Sequence, residues 1–193
     1  MQYTIIRNVI EDRWRNLYTY MVPELPELTA RTSYRKYVKT AVWYAKYSNA
    51  WCLEQTNTLV RWTDFIPIFN AIVTYFQHRE YDIFCDGVCV GTVDETREKG
   101  TIYKKTRFVL HGKEYFIGIG NTNFTRPMKK YKWSIEREDG KEVASITNKS
   151  GEGVLYLDSS GELPIEVLVI MIMMKDIYSF SGENDDPITG TGF

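Results

Sequence analysis

The chain has 193 residues, of which 44% are hydrophobic, 15% aromatic and 25% charged. That is the make-up of one folded domain with a substantial core, and it excludes a disordered chain, which carries fewer aromatics and a larger net charge. With 24 basic and 25 acidic residues the net charge is -1, which argues against a dedicated nucleic-acid binder with its clear basic excess.

At the start of the chain, Met1 to Ile10 is followed at once by Glu11, Asp12 and Arg13. That is not the apolar core and small-residue cleavage site of a secretory leader, so none is expected. Gln2 to Ile6 reads as a strand, and Arg13 to Met21 as a strand or one amphipathic turn. Two prolines in Val22 to Leu28 break regular structure and place a loop there. Tyr34 to Tyr47 carries aromatics at both helical and strand spacings, and periodicity leaves its type open. Trp51 to Trp62 reads as a strand. Phe65 to Phe76, with Pro67 inside it, fits either a short helix or an apolar strand.

From Tyr81 onward hairpins dominate. Tyr81 to Val93 alternates around Asp86-Gly87, a dipeptide suited to a tight turn because both positions tolerate positive φ. Thr106 to Ile119 repeats the theme around His111-Gly112, and Tyr131 to Thr147 around Asp139-Gly140. The first and third hairpins share a form about 50 residues apart, consistent with a meander or barrel of hairpins. Val154 to Leu157 adds one more strand, turned at Ser159-Ser160-Gly161.

Pro164 suits the first position of a helix, and Ile165 to Tyr178 is apolar nearly all round, the mark of a helix enclosed on every side. β-Branched residues make a strand the competing reading, and the length and the methionines favour the helix. The run Val167 to Met174 falls short of the about 20 apolar residues that a membrane span needs. Ser181 to Phe193 reads as a flexible tail.

Strand hairpins with Asp-Gly turns, closed by a wholly apolar C-terminal helix, resemble the tubby-like barrel. That fold is shared by tubby C-terminal domains, phospholipid scramblases, LURP-one-related plant proteins and small bacterial proteins. The resemblance rests on Tyr81 to Val93, Tyr131 to Thr147 and Pro164 to Tyr178. It implies an antiparallel barrel around a hydrophobic helix, which is also the enclosure that a helix apolar on all faces requires. The basic phosphoinositide signature of tubby proteins and the acidic calcium-associated segment of scramblases are not evident here, so neither function transfers by residue.

Chemical constellations are sparse. Nucleophilic catalysis needs a base in reach of the nucleophile, and the histidines are His78 and His111, the latter in a turn. Cys85 and Cys89 alternate with Phe84 and Val90 and read as small core hydrophobes. With Cys52 they make three cysteines, an odd number without a C-x-x-C pair, as in reduced thiols of a cytoplasmic protein. His78, Cys85 and Cys89 fall short of a four-ligand zinc site. Gly118-Ile119-Gly120 is followed by no helix with further glycines, so strand-end glycines explain it better than a phosphate loop. The acidic pairs Asp94-Glu95, Glu138-Asp139 and Asp185-Asp186 read as exposed turn residues.

Two basic clusters stand out. Lys129, Lys130 and Lys132 interleave with Tyr131 and Trp133, with Arg126 just upstream; Lys104, Lys105 and Arg107 form the second. Basic residues beside aromatics can hold an anionic headgroup at a membrane surface, and the same pattern is what the solvated face of a strand looks like.

The sequence therefore points to one domain over residues 1–180, with 1–76 its less regular N-terminal part, 77–180 the hairpins and helix, and 181–193 a tail. The expected fold is mostly β, an antiparallel tubby-like barrel enclosing a C-terminal helix. The expected function is a non-enzymatic module, without metal or cofactor, that engages anionic phospholipid at the inner membrane face. The alternative is a protein-interaction role, such as an immunity or inhibitor protein, resting on an aromatic-rich N-terminal third that could anchor an interface.

Overall fold

Side chains that alternate between core and surface build nearly everything in the computed structural model. It describes residues 1–12, 15–34, 44–47, 50–56, 80–97, 104–120, 132–148 and 154–182. Among them are twelve strands: β1 (Gln2–Asp12), β2 (Arg15–Met21), β3 (Thr29–Tyr34), β4 (Tyr44–Tyr47), β5 (Trp51–Gln55), β6 (Glu80–Cys85), β7 (Val88–Arg97), β8 (Lys104–Leu110), β9 (Lys113–Gly120), β10 (Lys132–Arg137), β11 (Glu142–Asn148) and β12 (Val154–Ser159). One helix, α1 (Ile165–Gly182), follows them. The protein is mostly β, as expected.

Every strand pairs antiparallel with the next one in sequence, from β1 through β12. β1 also pairs with β12, from Gln2 opposite Asp158 to Ile6 opposite Val154, so the order of neighbours is cyclic. The chain start fastens this last seam. The Met1 ammonium donates to the Ser159 carbonyl at 2.6 Å, and the Ser159 N–H donates to the Met1 carbonyl at 2.8 Å. Because the meander is unbroken, the connections alternate strictly between two rims of the sheet.

The strand expected over Gln2 to Ile6 runs on to Asp12, Arg15–Met21 takes the strand rather than the turn, the loop over 22–28 stands as expected, and β12 extends past Leu157 to include Ser159. Tyr44–Tyr47, left open by its spacing, is a strand, while Asn57 to Trp62 and Phe65 to Phe76 lie outside the described residues. Asp86-Gly87 and His111-Gly112 are two-residue turns with φ of 50° and 77°, and of 48° and 76°. Positive φ at both central positions matches the twist of the flanking strands. The third hairpin differs from the first, against expectation. The Gly140 N–H donates to the Arg137 carbonyl, the Arg137 N–H donates to the Lys141 carbonyl, and Gly140 takes the positive φ while Asp139 does not. Glu138 enters the turn, and the pairing shifts register between Ile135 and Glu136. A local Asp-Gly pair is therefore compatible with either loop length.

β7 carries a bulge. Ile83 pairs with Gly91 while Phe84 pairs with Cys89, leaving Val90 extra. A Cβ at position 91 would lie 2.1 Å from the Val109 carbonyl oxygen, so only glycine lets β8 approach here. Past the bulge the hairpin tip leaves the core. Cys89 is exposed and Cys85 half-buried, which corrects the expectation that both are small core hydrophobes. All three cysteines are free. Cys52 and Cys89 flank Phe84 from opposite sides, two strand spacings or about 9.6 Å apart, beyond the reach of a disulfide.

Alternate residues of each strand supply the core, among them Ile5, Tyr18, Tyr20, Tyr47, Tyr81 and Phe108, none more than 1% exposed. Phe108 stacks on Tyr115 with ring centroids 5.0 Å apart, a contact worth about 0.5–1.5 kcal/mol beyond its area. In α1, Val167 to Met174 are eight successive residues at no more than 3% exposure. At 3.6 residues per turn they sweep past two full turns, so the helix is buried on every face. It packs beside β3, β4 and β5, and so backs the two shortest strands. The Leu168 N–H donates to the Pro164 carbonyl at 3.2 Å, so Pro164 stands one place before α1 rather than at its first position. Among the described residues no helix is long and apolar enough to cross a membrane.

Candidate functional site

The parity of the meander sorts the connections by charge. The connections after β1, β3, β5, β7, β9 and β11 meet one rim of the sheet, and their residues are 13–14, 35–43, 56–79, 98–103, 121–131 and 149–153. They hold eleven Lys or Arg against three Asp or Glu, a net charge of +8. The connections to the opposite rim are 22–28, 48–50, 86–87, 111–112, 138–141 and the 160–164 segment that leads into α1. They hold one lysine against six carboxylates, a net charge of -5. In a chain close to neutral, the segments that follow odd-numbered strands are thus basic in sequence and those that follow even-numbered strands acidic.

The described lysines of the two sequence-derived basic clusters stand at strand starts. β8 starts with Lys104 and Lys105, and β10 starts with Lys132, which pairs with Gly120 at the end of β9. One strand separates the two starts, a backbone separation of about 9.6 Å. Arg126, Lys129 and Lys130 lie outside the described residues, in the connection that ends at β10. Arg97 and Lys104 are direct register partners at the open end of the β7–β8 pair.

Arg107 does not join them. It is exposed, but its guanidinium pairs with the Glu114 carboxylate on β9, and that hydrogen bond raises its pKa. Its charge is answered within the sheet by Glu114. Sequence reasoning also missed Arg13, Arg15, Arg35, Lys36, Lys39 and Arg97. They stand singly or in short runs along the chain: Arg15 starts β2 and Arg97 ends β7, while Arg13, Arg35, Lys36 and Lys39 lie outside the described residues.

The acidic rim is held by its own contacts. Arg137 Nε donates to Asp139 Oδ1 at 3.1 Å, and this hydrogen bond holds the Asp139 carboxyl below its ordinary range. The Tyr115 hydroxyl donates to Glu162 Oε1 at 3.3 Å. These contacts make Glu138-Asp139 a structural turn. Asp94-Glu95, expected in a turn, lies within β7, where Asp94 stands opposite both Glu80 and Arg107. The pair Asp185-Asp186 lies outside the described residues.

Among the described residues, no group of three or more His, Cys, Asp or Glu could hold a metal ion. His111 occupies the turn between β8 and β9, His78 lies outside the described residues, and burial with the Asp86 and Glu166 charges pushes the Cys85 thiol pKa up. Gly118 and Gly120 belong to β9, as strand-end glycines. Among the described aromatics of the N-terminal third, Tyr18, Tyr20 and Tyr47 are at most 1% exposed and belong to the core, while Tyr3 and Trp51 are half-buried. No protein-family model, curated protein or solved structure matches the chain.

Proposed function

We propose that this protein is a non-enzymatic binding module that presents its basic rim to anionic lipid headgroups at the inner membrane face. In this reading the cyclic sheet is a closed tubby-like barrel around α1. The observation that carries the proposal is the contrast between the rims, +8 against -5 in their connecting segments. Each Lys or Arg brought near an anionic leaflet contributes about 1 kcal/mol, while the acidic rim is repelled by the same surface. The charge difference therefore both attracts the protein and orients it. The cations come mostly as lysine and arginine in separate connections, which suits a spread of headgroups better than one compact anion.

Co-sedimentation with phosphatidylcholine vesicles, with and without phosphatidylserine, tests the reading. Binding is expected to require phosphatidylserine and to weaken as salt rises, because exposed charges are screened over about 8 Å at physiological ionic strength. Replacing Lys129, Lys130 and Lys132 together by Glu is expected to abolish it. Equal binding to neutral vesicles, or none to either kind, would count against the proposal.

A further inference from the structure

β4 and β12 run toward the same rim, so α1 starts where β4 ends, and it packs beside β3, β4 and β5. Three side chains stand in register across the neighbouring strand ends. Tyr47 closes β4, Trp51 opens β5 opposite it, and Cys85 closes β6 opposite Trp51. Register partners share a face of the sheet. Tyr47 is fully buried, while Trp51 and Cys85 are half-buried. The Tyr47 hydroxyl has no hydrogen-bond partner among the described residues, although buried hydroxyls as a rule have one.

Three carboxylates surround this row. Glu166 is the second residue of α1, Asp86 follows Cys85 in its turn, and Glu27 stands just ahead of Ala30, the β3 partner of Tyr47. Burial and the charges of Glu166 and Glu27 raise the Tyr47 pKa, and burial and the charges of Asp86 and Glu166 raise that of Cys85. Glu166 therefore acts on both ends of the row. The ion pairs among the described residues engage Glu114, Asp139 and Glu162, and none of these three.

We infer that this row is a binding site for an organic ammonium group, which lies over Trp51, is neutralised by Glu27, Asp86 and Glu166, and donates to the Tyr47 hydroxyl. The carboxylates then gain a cation and Tyr47 gains its missing partner. A half-buried indole can hold a cation over its ring, within about 6 Å of the centroid. Tyr47 and Cys85 lie two strand spacings apart, about 9.6 Å, so groups spread this widely suit an extended cation with an aliphatic stem. A metal ion does not fit, because no set of His, Cys, Asp or Glu among the described residues converges on one. The hydroxyl is shut off from solvent in the free protein, so side chains at the mouth turn aside as the cation enters. The site lies at the rim opposite the proposed lipid surface and does not depend on that reading.

Isothermal titration calorimetry of the full chain at low salt tests this with two probes, spermidine and a short lysine-rich peptide. Binding of spermidine alone would mark a free polyamine as the ligand, binding of the peptide alone a protein lysine, and binding of both the shared chemistry. Tyr47→Phe and Glu166→Gln are each expected to weaken binding by about tenfold or more, since each loses a hydrogen bond to a charged group. Asp158→Asn removes the same charge as Glu166→Gln at an exposed position of β12, and is expected to change binding by no more than about twofold. No heat of binding from either probe at millimolar concentration would overturn the inference. So would a folded Tyr47→Phe variant that binds as wild type does. An equal loss in Asp158→Asn and Glu166→Gln would reduce the attraction to net charge and overturn it as well.

Discussion

The hydroxyl of Tyr115 donates to Glu162 at 3.3 Å, joining β9 to the short segment that turns the chain into α1. Arg137 reaches the other oxygen of the same carboxylate at 3.7 Å. One glutamate thus ties two strands to the entry of the buried helix. A net hydrogen bond of this kind is worth about 1 kcal/mol. Tyr115→Phe is expected to lower the unfolding free energy by about that amount, read from the urea midpoint at unchanged slope. An unchanged midpoint would show that the contact does not stabilise the entry to α1.

Tyr47 is the instructive contrast. Its ring is fully buried and its hydroxyl has no hydrogen-bond partner among the described residues. Removing an unsatisfied buried hydroxyl relieves a desolvation cost of about 1–3 kcal/mol, so Tyr47→Phe is expected to leave stability unchanged or raise it. A loss of stability would mean that the hydroxyl is satisfied in solution.

The same two tyrosines set an alkaline limit. Burial raises the pKa of both above the ordinary 10.0, with Glu166 adding to the shift at Tyr47 and Glu162 at Tyr115. Above pH 10 the unfolded chain releases these protons before the folded one, so stability is full below that pH and falls as pH climbs toward the folded-state values. Unfolding free energy measured from pH 8 to pH 12 is expected to decline beyond about pH 10, and less steeply in Tyr47→Phe. Identical slopes in the two proteins would remove Tyr47 from this account.

In α1, Ile170 is 1% exposed within the run that is buried on all faces. Ile170→Asp forces a carboxylate to lose its hydration or take up a proton, a cost that rivals the roughly 5–15 kcal/mol stabilising a typical domain. The variant is expected to be insoluble or unfolded by circular dichroism and gel filtration. A folded, soluble variant would contradict the enclosed helix. At the bulge, Gly91→Ala is expected to cost about 1–3 kcal/mol, because β8 must move to free the Val109 carbonyl.

Sequence and structure agree where a local rule decides the conformation. Asp86-Gly87 and His111-Gly112 can hardly be anything but tight turns, and an apolar run as long as Val167 to Met174 is a buried element of some kind. The agreement fails where tertiary context decides. Tyr44–Tyr47 has aromatics at both periods, and what makes it a strand is pairing with β3 and β5 and the support of α1. Asp139-Gly140 cannot signal that Glu138 joins its turn. Cys89 obeys the alternation of its strand only up to a bulge that depends on close approach by β8. The site was half legible: the local runs at Lys104 and Lys129 are visible at once. The charge contrast between connections is not, because it is spread over six segments that only the strand order sorts.

A matched pair of charge reversals separates binding governed by position on a rim from binding governed by net charge. One variant carries Lys36→Glu and Lys39→Glu in the connection after β3. The other carries Lys113→Glu and Lys141→Glu at the acidic rim. Both lower the net charge by the same amount. On phosphatidylserine-containing vesicles the account predicts that the first variant loses at least about tenfold in affinity, from roughly 1 kcal/mol per cation removed at the surface, while the second binds nearly as wild type does. Equal losses in the two variants would mean that net charge alone drives binding, and would contradict the account.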